Sequence, residues 1–188
     1  MRRVLITGFG PFGGVASNPT DAGVRLAAQR LRASGVDVVD EVLPVSFERA
    51  GRRVRELVEQ GRPDIAVAFG VATGRDAVTP ERVAINVMDA RIADVDGCQP
   101  VDQAIEPGGE VGRFGRLPLK TLVAALTAAG FAAKRSNSAG DYVCNRVFWD
   151  LMGALQPDAV GGFVHVPEGI DTASAIEVVA RTLLAPAS

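Results

Sequence analysis

The sequence predicts an α/β fold, a three-layer α/β/α sandwich built on a mostly parallel, twisted sheet. The hydrophobic period switches repeatedly between two and about 3.6 along the chain, as alternating strands and helices require. Helix start and stop residues such as Asn18-Pro19, Gly35 and Gly130 fall between the apolar runs. With 188 residues, 47% hydrophobic and 22% charged, the chain is large enough to bury a substantial core as one domain spanning 1–188.

Taken in order, Val4–Thr7 is a first buried strand. Asn18 caps a helix whose first helical position suits Pro19, and that helix runs to about Ala33. Val36–Val45 is predicted as strand, Phe47–Gln60 as helix and Asp64–Val71 as strand. The loop Ala72–Pro80 leads to a strand over Glu81–Met88. Leu119–Ala129 reads as helix, stopped by Gly130, and Phe131–Asn137 as extended. Asn145–Leu155 reads as helix, Ala159–Val166 as strand and Asp171–Leu184 as helix. Between Asp89 and Leu117 the alternation stops in a stretch rich in Gly, Asp and Pro. A loop of that length in a compact domain tends to be functional, which suggests a substrate or subunit-contact role, with a small hairpin of its own.

Charge and composition exclude several classes. Twenty basic residues against twenty-two acidic ones leave a formal charge of -2, and arginines are nowhere interleaved with aromatics as on a nucleic-acid face. Arg49, Arg52, Arg53 and Arg55 alternate with Val54, Leu57 and Val58, which fits a solvated face of an amphipathic helix. No apolar run reaches about 18 residues, and the first residues develop no signal-length apolar core, so a cytoplasmic protein off the membrane is expected. One histidine and two distant cysteines, Cys98 and Cys144, do not supply a zinc ligand set; free thiols and no metal are expected.

Gly8-Phe-Gly10-Pro-Phe-Gly13 spells GxGxxG after the first strand. A dinucleotide site needs the helix to open inside that motif, so that its N-terminus meets the pyrophosphate. Here Pro11 interrupts the glycines and the helix signal at Asn18-Pro19 comes later, so an open loop is predicted and no cofactor is expected. Phe9 and Phe12 then line an apolar pocket at the C-terminal edge of the sheet.

The chemistry concentrates elsewhere. Cys144 precedes Val147, Phe148, Leu151 and Leu155, which places it at or near a helix N-terminus, where aligned peptide dipoles are expected to lower a thiol pKa. His165, the only histidine, sits near the C-terminal end of a strand and is a candidate to exchange a proton with Cys144. Glu81 is a candidate to hold the imidazole in the required tautomer. Each has an ordinary reading too: a core histidine, a small buried hydrophobe, a surface carboxylate.

These residues lie in blocks that resemble the pyroglutamyl peptidase I family, cysteine peptidases with an α/β/α fold. The blocks are Thr7-Gly-Phe9-Gly-Pro-Phe12-Gly-Gly with Asn18-Pro19, Thr79-Pro-Glu81-Arg-Val-Ala-Ile-Asn86, Asp89-Ala-Arg91-Ile92, Asp96-Gly-Cys-Gln99-Pro100, Leu117-Pro118, Ala139-Gly-Asp-Tyr-Val-Cys144-Asn145 and Gly162-Phe-Val-His165-Val-Pro167. They cover nearly the whole chain in order. The resemblance implies removal of N-terminal pyroglutamate from peptides, with Cys144 as nucleophile, His165 as base and then acid, and Glu81 as orienting carboxylate. It further implies oxyanion donors at the Cys144 backbone with Arg91 as helper, and a ring pocket of Phe9, Phe12, Ile92, Tyr142 and Val143 supported by Asn18. A homo-oligomer, dimer or tetramer, is implied as well.

The chain departs from the family near that pocket. Val71 stands where glutamine is usual, Gly10 where an acidic residue is usual, and Tyr142 where phenylalanine is usual, so the Tyr142 hydroxyl is a candidate to replace a lost bond to the lactam. The segment after Pro167 is short, and Cys98 is read as an incidental loop thiol. The alternative to an active peptidase is a binding or regulatory protein on the same scaffold, which Val71 keeps open.

Overall fold

A computed structural model describes residues 2–186. Five strands form the central sheet in the order β2-β1-β3-β7-β4: β1 (Arg3–Phe9), β2 (Asp37–Leu43), β3 (Ile65–Val71), β4 (Thr79–Pro80) and β7 (Val160–Val166). All neighbours are parallel except β4, which runs antiparallel to β7 at one edge. A separate antiparallel pair, β5 (Val83–Ile85) and β6 (Gly112–Phe114), stands outside the sheet.

The helices cover both faces. On one side α1 (Pro19–Ala33), α3 (Leu119–Ala128) and α5 (Thr172–Leu184) bury Val24, Leu31, Leu122, Ile176 and Val179 against Val4, Ile6, Val67 and Phe69. On the other, α2 (Phe47–Gly61) and α4 (Val143–Ala154) bury Val54, Val147, Phe148 and Leu151 against Leu5, Ala66, Ala68 and Phe163. The strict alternation along β3, odd residues to one core and even residues to the other, is the period-two rule with both faces covered.

Local chemistry sets the boundaries. Asn18 caps α1 by accepting from the Thr20 amide at 3.0 Å, with Pro19 opening the helix. Gly8 is required by packing: a β-carbon there would lie 2.5 Å from the Thr20 carbonyl oxygen, so the first turn of α1 presses directly on β1. The first glycine cluster thus serves helix–strand contact and an open loop.

Three boundaries differ from the sequence expectation. The run Glu81–Met88 is not one strand. Glu81 donates its amide to Phe163 O at 2.9 Å as the last link to β7, and the chain then leaves the sheet. The Asn145 side chain draws it away, accepting from Ile85 N at 2.9 Å and donating to Ile85 O at 2.8 Å and Val87 O at 3.0 Å. Phe131–Asn137 forms no strand but touches the edge through isolated bridges, Val78 with Ala133 and Glu81 with Ser136. The predicted strand over Val36–Val45 ends at Leu43, because Pro44 has no N–H to continue the ladder. The long stretch after Asp89 is held by its own bonds, Ala90 N to Pro100 O at 2.8 Å and Met88 paired with Gln103, and then contributes β6. Among the described residues, no helix is long and apolar enough to cross a membrane.

Candidate active site

β7 delivers His165 to the site. In a strand, residues two apart share a face, so His165 follows Phe163 toward α2 and α4. The parallel register pairs His165 with Gly70 on β3, and the two positions point to the same side. A β-carbon on Gly70 would stand 2.9 Å from Cys144 Sγ and 2.9 Å from Phe163 Cζ. The thiol therefore rests over the glycine beside His165. Only a residue without a side chain leaves room for it.

Glu81 completes the constellation from the edge next to β7. Its Oε1 lies 2.8 Å from His165 Nδ1, and both groups are buried, the carboxylate completely and the imidazole at 5% exposure. The same oxygen accepts from Arg75 Nη1 at 2.6 Å. Phe163 packs against the His165 ring with centroids 4.8 Å apart, fixing its other side.

Burial, the largest influence, works to raise the Glu81 pKa. The hydrogen bonds from His165 and Arg75, with the nearby Ser136 hydroxyl, outweigh it, and the carboxyl is held below its ordinary value. Burial pushes the His165 pKa down against the pull of Glu81, so the resting imidazole is neutral. Paired with an ionised Glu81, the neutral ring keeps its proton on Nδ1 and leaves Nε2 as the basic nitrogen.

Cys144 corrects one expectation. The helix begins at Val143 and not at Asn145, so Cys144 lies within its first turn, where unpaired amides point outward. The expected lowering of the thiol pKa is not what the site produces. Burial pushes it up to about 12, with the Glu81 charge adding to the rise and Arg75 and the residue's own amide opposing it. Desolvation in this pocket works against the helix N-terminus and toward a neutral thiol.

In front of Cys144 opens a cavity of about 510 Å³. Phe9, Phe12, Tyr142 and Val143 line its apolar wall, and Asn18, Val71, Arg91 and Ile92 also border it. Phe12 and Phe47 pack on the Tyr142 ring at centroid distances of 5.6 and 5.1 Å. The hydroxyl of Tyr142 is enclosed and without a partner, and burial raises its pKa to about 12. It is thus the ring that faces the cavity, which speaks against the hydroxyl as a substitute ligand for a lactam. Asn18 supports the pocket loop by donating to Gly10 O at 3.2 Å. Cys98 is exposed and free, in a turn whose amides at Asp96 and Cys98 both donate to Asp94 Oδ1. Among the described residues, no cluster suited to holding a metal ion occurs.

Two residues of this site carry no signal in the sequence. Gly70 resembles any strand glycine until its register with His165 is known, and Arg75 resembles any loop arginine. Asn145 follows Cys144 in the sequence block around the thiol, but its part in holding β5 emerges only from contacts across about sixty residues.

The arrangement is a half-buried thiol on the wall of a mixed polar and apolar cavity, backed by a buried imidazole and carboxylate, and comparison with known proteins agrees with it. The sequence profile described as "Pyroglutamyl peptidase" matches residues 2–177. A pyrrolidone-carboxylate peptidase of Pseudomonas fluorescens is 44% identical over 168 residues, 89% of this chain and 79% of that protein. One of Cupriavidus necator is 46% identical over 171 residues, with the same coverage of 89% and 79%. The crystal structure of Bacillus amyloliquefaciens pyroglutamyl peptidase I superposes with a TM-score of 0.87 at 34% identity, covering 97% of each chain. The chain belongs to the pyroglutamyl peptidase family.

Proposed function

We propose that Cys144, His165 and Glu81 are the nucleophile, the base and the orienting carboxylate of this peptidase. As a member of its family the chain is a cysteine-type hydrolase that removes N-terminal pyroglutamate from peptides. The observation that carries the residue assignment is the 2.8 Å contact of His165 Nδ1 with Glu81 Oε1, on a strand position whose neighbour Gly70 abuts Cys144 Sγ.

With desolvation raising the thiol pKa, attack and deprotonation are proposed to occur together. The Cys144 proton passes to His165 Nε2 as Sγ bonds to the pyroglutamyl carbonyl carbon. The Glu81 charge stabilises the imidazolium that forms. Amides of the first turn of α4 are the proposed oxyanion donors, with Arg91 from the cavity wall as helper. The C–N bond then breaks, His165 returns its proton to the departing amine, and a thioester remains. Water attacks that thioester with His165 as base, releasing pyroglutamate and the thiol.

Phe9, Phe12, Ile92, Tyr142 and Val143 are proposed to enclose the lactam ring, with Asn18 holding the loop after β1 that carries Phe12 and Val71 at the cavity wall. Residues 1–188 act as one catalytic domain, supported by two core clusters built on one sheet. A dimer or tetramer of this chain is the proposed assembly, supported by Val111 and Phe114, which are 92% and 70% exposed around β6. Two free thiols support work in the reducing cytoplasm.

Hydrolysis of a chromogenic pyroglutamyl amide under reducing conditions tests this reading. Turnover that disappears in Cys144→Ala and survives in Cys98→Ala supports it. A folded wild type that binds pyroglutamate without cleaving the amide would favour the binding-protein reading instead.

A further inference from the structure

Glu81 is completely buried, and its Oε2 has no hydrogen-bond partner among the described residues. All its bonds converge on Oε1, which accepts from His165 Nδ1 at 2.8 Å, from Arg75 Nη1 at 2.6 Å and from the Thr79 hydroxyl at 3.4 Å. The guanidinium also binds the Thr79 hydroxyl through Nη1 and the Ser138 carbonyl through Nη2, the latter at 3.2 Å. Thr79 precedes Glu81 on the same edge. Ser138 begins the segment Ser138–Tyr142 that leads into α4 and Cys144.

We propose that Arg75 is a positioning residue of the catalytic machinery, whose guanidinium aims Glu81 at His165 and ties it to the segment carrying the nucleophile. The inference rests on the assignment of Cys144, His165 and Glu81 to their roles. The turn that presents Arg75 is built for the purpose: its amide donates to Ala72 O at 3.1 Å, and Gly74 before it has a φ of 82°, a conformation that favours glycine.

The electrostatic reason is specific. A lone carboxylate in a buried position would take up a proton rather than stay charged. A neutral Glu81 would then donate to Nδ1, turn His165 into the Nε2–H tautomer, and leave no base facing Cys144. Arg75 adds a charged hydrogen bond at Oε1 to the pull of His165, and the two together keep Glu81 an acceptor. The Arg75 charge also opposes protonation of His165. Both effects act in the same direction, because losing Arg75 makes Glu81 and His165 each hold a proton to higher pH.

The test uses Arg75→Met and Arg75→Lys in untagged protein. In Arg75→Met, kcat is expected to fall about tenfold to a hundredfold, the scale of a displaced acid–base group, with KM changed less than about twofold. The acid limb of kcat/KM moves to higher pH. Arg75→Lys keeps the charge and loses the three-way span, so the acid limb returns toward wild type while kcat recovers only in part. Because His165 is the only histidine, its 15N signals read the tautomer without turnover in a Cys144→Ser background. There Arg75→Met is expected to lose the Nδ1–H form and to titrate at higher pH.

A folded Arg75→Met with wild-type kcat, acid limb and tautomer overturns the proposal, as does Arg75→Lys no better than Arg75→Met in the acid limb. If Arg75→Met does not fold, Arg75→Lys decides: wild-type kcat in that variant overturns the proposal, and a loss of about threefold or more at constant KM supports it. An inactive wild type would sink the functional reading instead, while the 15N comparison would still judge Arg75.

Discussion

Gly70 leaves no room for any side chain beside Cys144: a β-carbon there would meet the Cys144 sulfur at 2.9 Å and the Phe163 ring at 2.9 Å. Phe163 cannot yield easily, since Phe9 and Phe148 flank it at centroid distances of 6.4 and 6.2 Å. Relief must come largely from the thiol. Gly70→Ala is therefore expected to lower kcat/KM more than about tenfold and to cost about 1–3 kcal/mol of stability through overpacking. Gly61→Ala, where nothing lies within 4 Å, is the control and should keep activity and stability. Assay and urea unfolding of both variants check it; an active Gly70→Ala would show that the thiol has more freedom than the packing allows.

The raised thiol pKa has a kinetic signature. With Cys144 pushed up to about 12, the free enzyme holds little thiolate at neutral pH. Its alkylation by iodoacetamide should climb about tenfold per pH unit across neutral and mildly alkaline pH, without an acid plateau. A resting thiolate–imidazolium pair would give such a plateau below pH 7. Cys98→Ala removes the exposed thiol from the measurement. Observation of the plateau would show that the helix terminus prevails over desolvation after all.

His165 also links stability to pH. Its folded pKa is below the ordinary 6.5 because burial disfavours the charged ring. The unfolded chain thus binds the proton first as pH falls. The stability contributed by the buried neutral ring is present above pH 6.5 and is lost as pH drops below it, at no more than about 1.4 kcal/mol per pH unit for one proton. Urea unfolding between pH 7.5 and 5.5 should show a slope in wild type that is reduced in His165→Gln. Equal slopes would mean that this histidine titrates alike in both states.

The fold class was legible in the sequence, and the three candidate chemical residues stood out in it, for different reasons. Alternating periodicity survives because both sheet faces are covered, and Cys144, His165 and Glu81 are chemically distinct residue types in recognisable blocks. The start of α4 was not legible because Tyr142 caps it without a side-chain hydrogen bond, so the usual Ser, Thr, Asp or Asn marker is missing. The strand over Glu81–Met88 misled because Val83-Ala-Ile85 has strand character but pairs with β6, under the hold of Asn145 from the far side of the chain. Gly70 acts through contacts with Cys144 and Phe163, more than seventy positions away, and Arg75 joins its near neighbours Thr79 and Glu81 to the distant Ser138, a span no local pattern reports.

Tyr142 carries an enclosed hydroxyl without a partner, and a buried donor left unmade costs about 1–3 kcal/mol. Its ring already packs on Phe12 and Phe47. Tyr142→Phe is therefore expected to keep KM within about twofold and to hold or raise the melting temperature. A rise in KM of tenfold or more would show that the hydroxyl turns into the cavity when substrate binds.

With the Tyr142 hydroxyl enclosed, recognition of the lactam N–H and C=O is proposed to fall to backbone groups around the cavity, since Val71 adds nothing polar. Val71 is the last residue of β3, paired with Val166, half-buried, and on the cavity wall while its apolar side meets the second core. A glutamine there has the reach to offer both a donor and an acceptor, and satisfying one otherwise unpaired lactam group is worth roughly 1–3 kcal/mol. Val71→Gln is thus expected to lower the dissociation constant of free pyroglutamate by about fivefold or more, read by competitive inhibition. Double substitution with Tyr142→Phe should show the same gain, since the two positions act separately. Weaker binding in a folded Val71→Gln would mean that this cavity has been rebuilt around an apolar contact at the end of β3, and that its specificity has parted from that of its relatives.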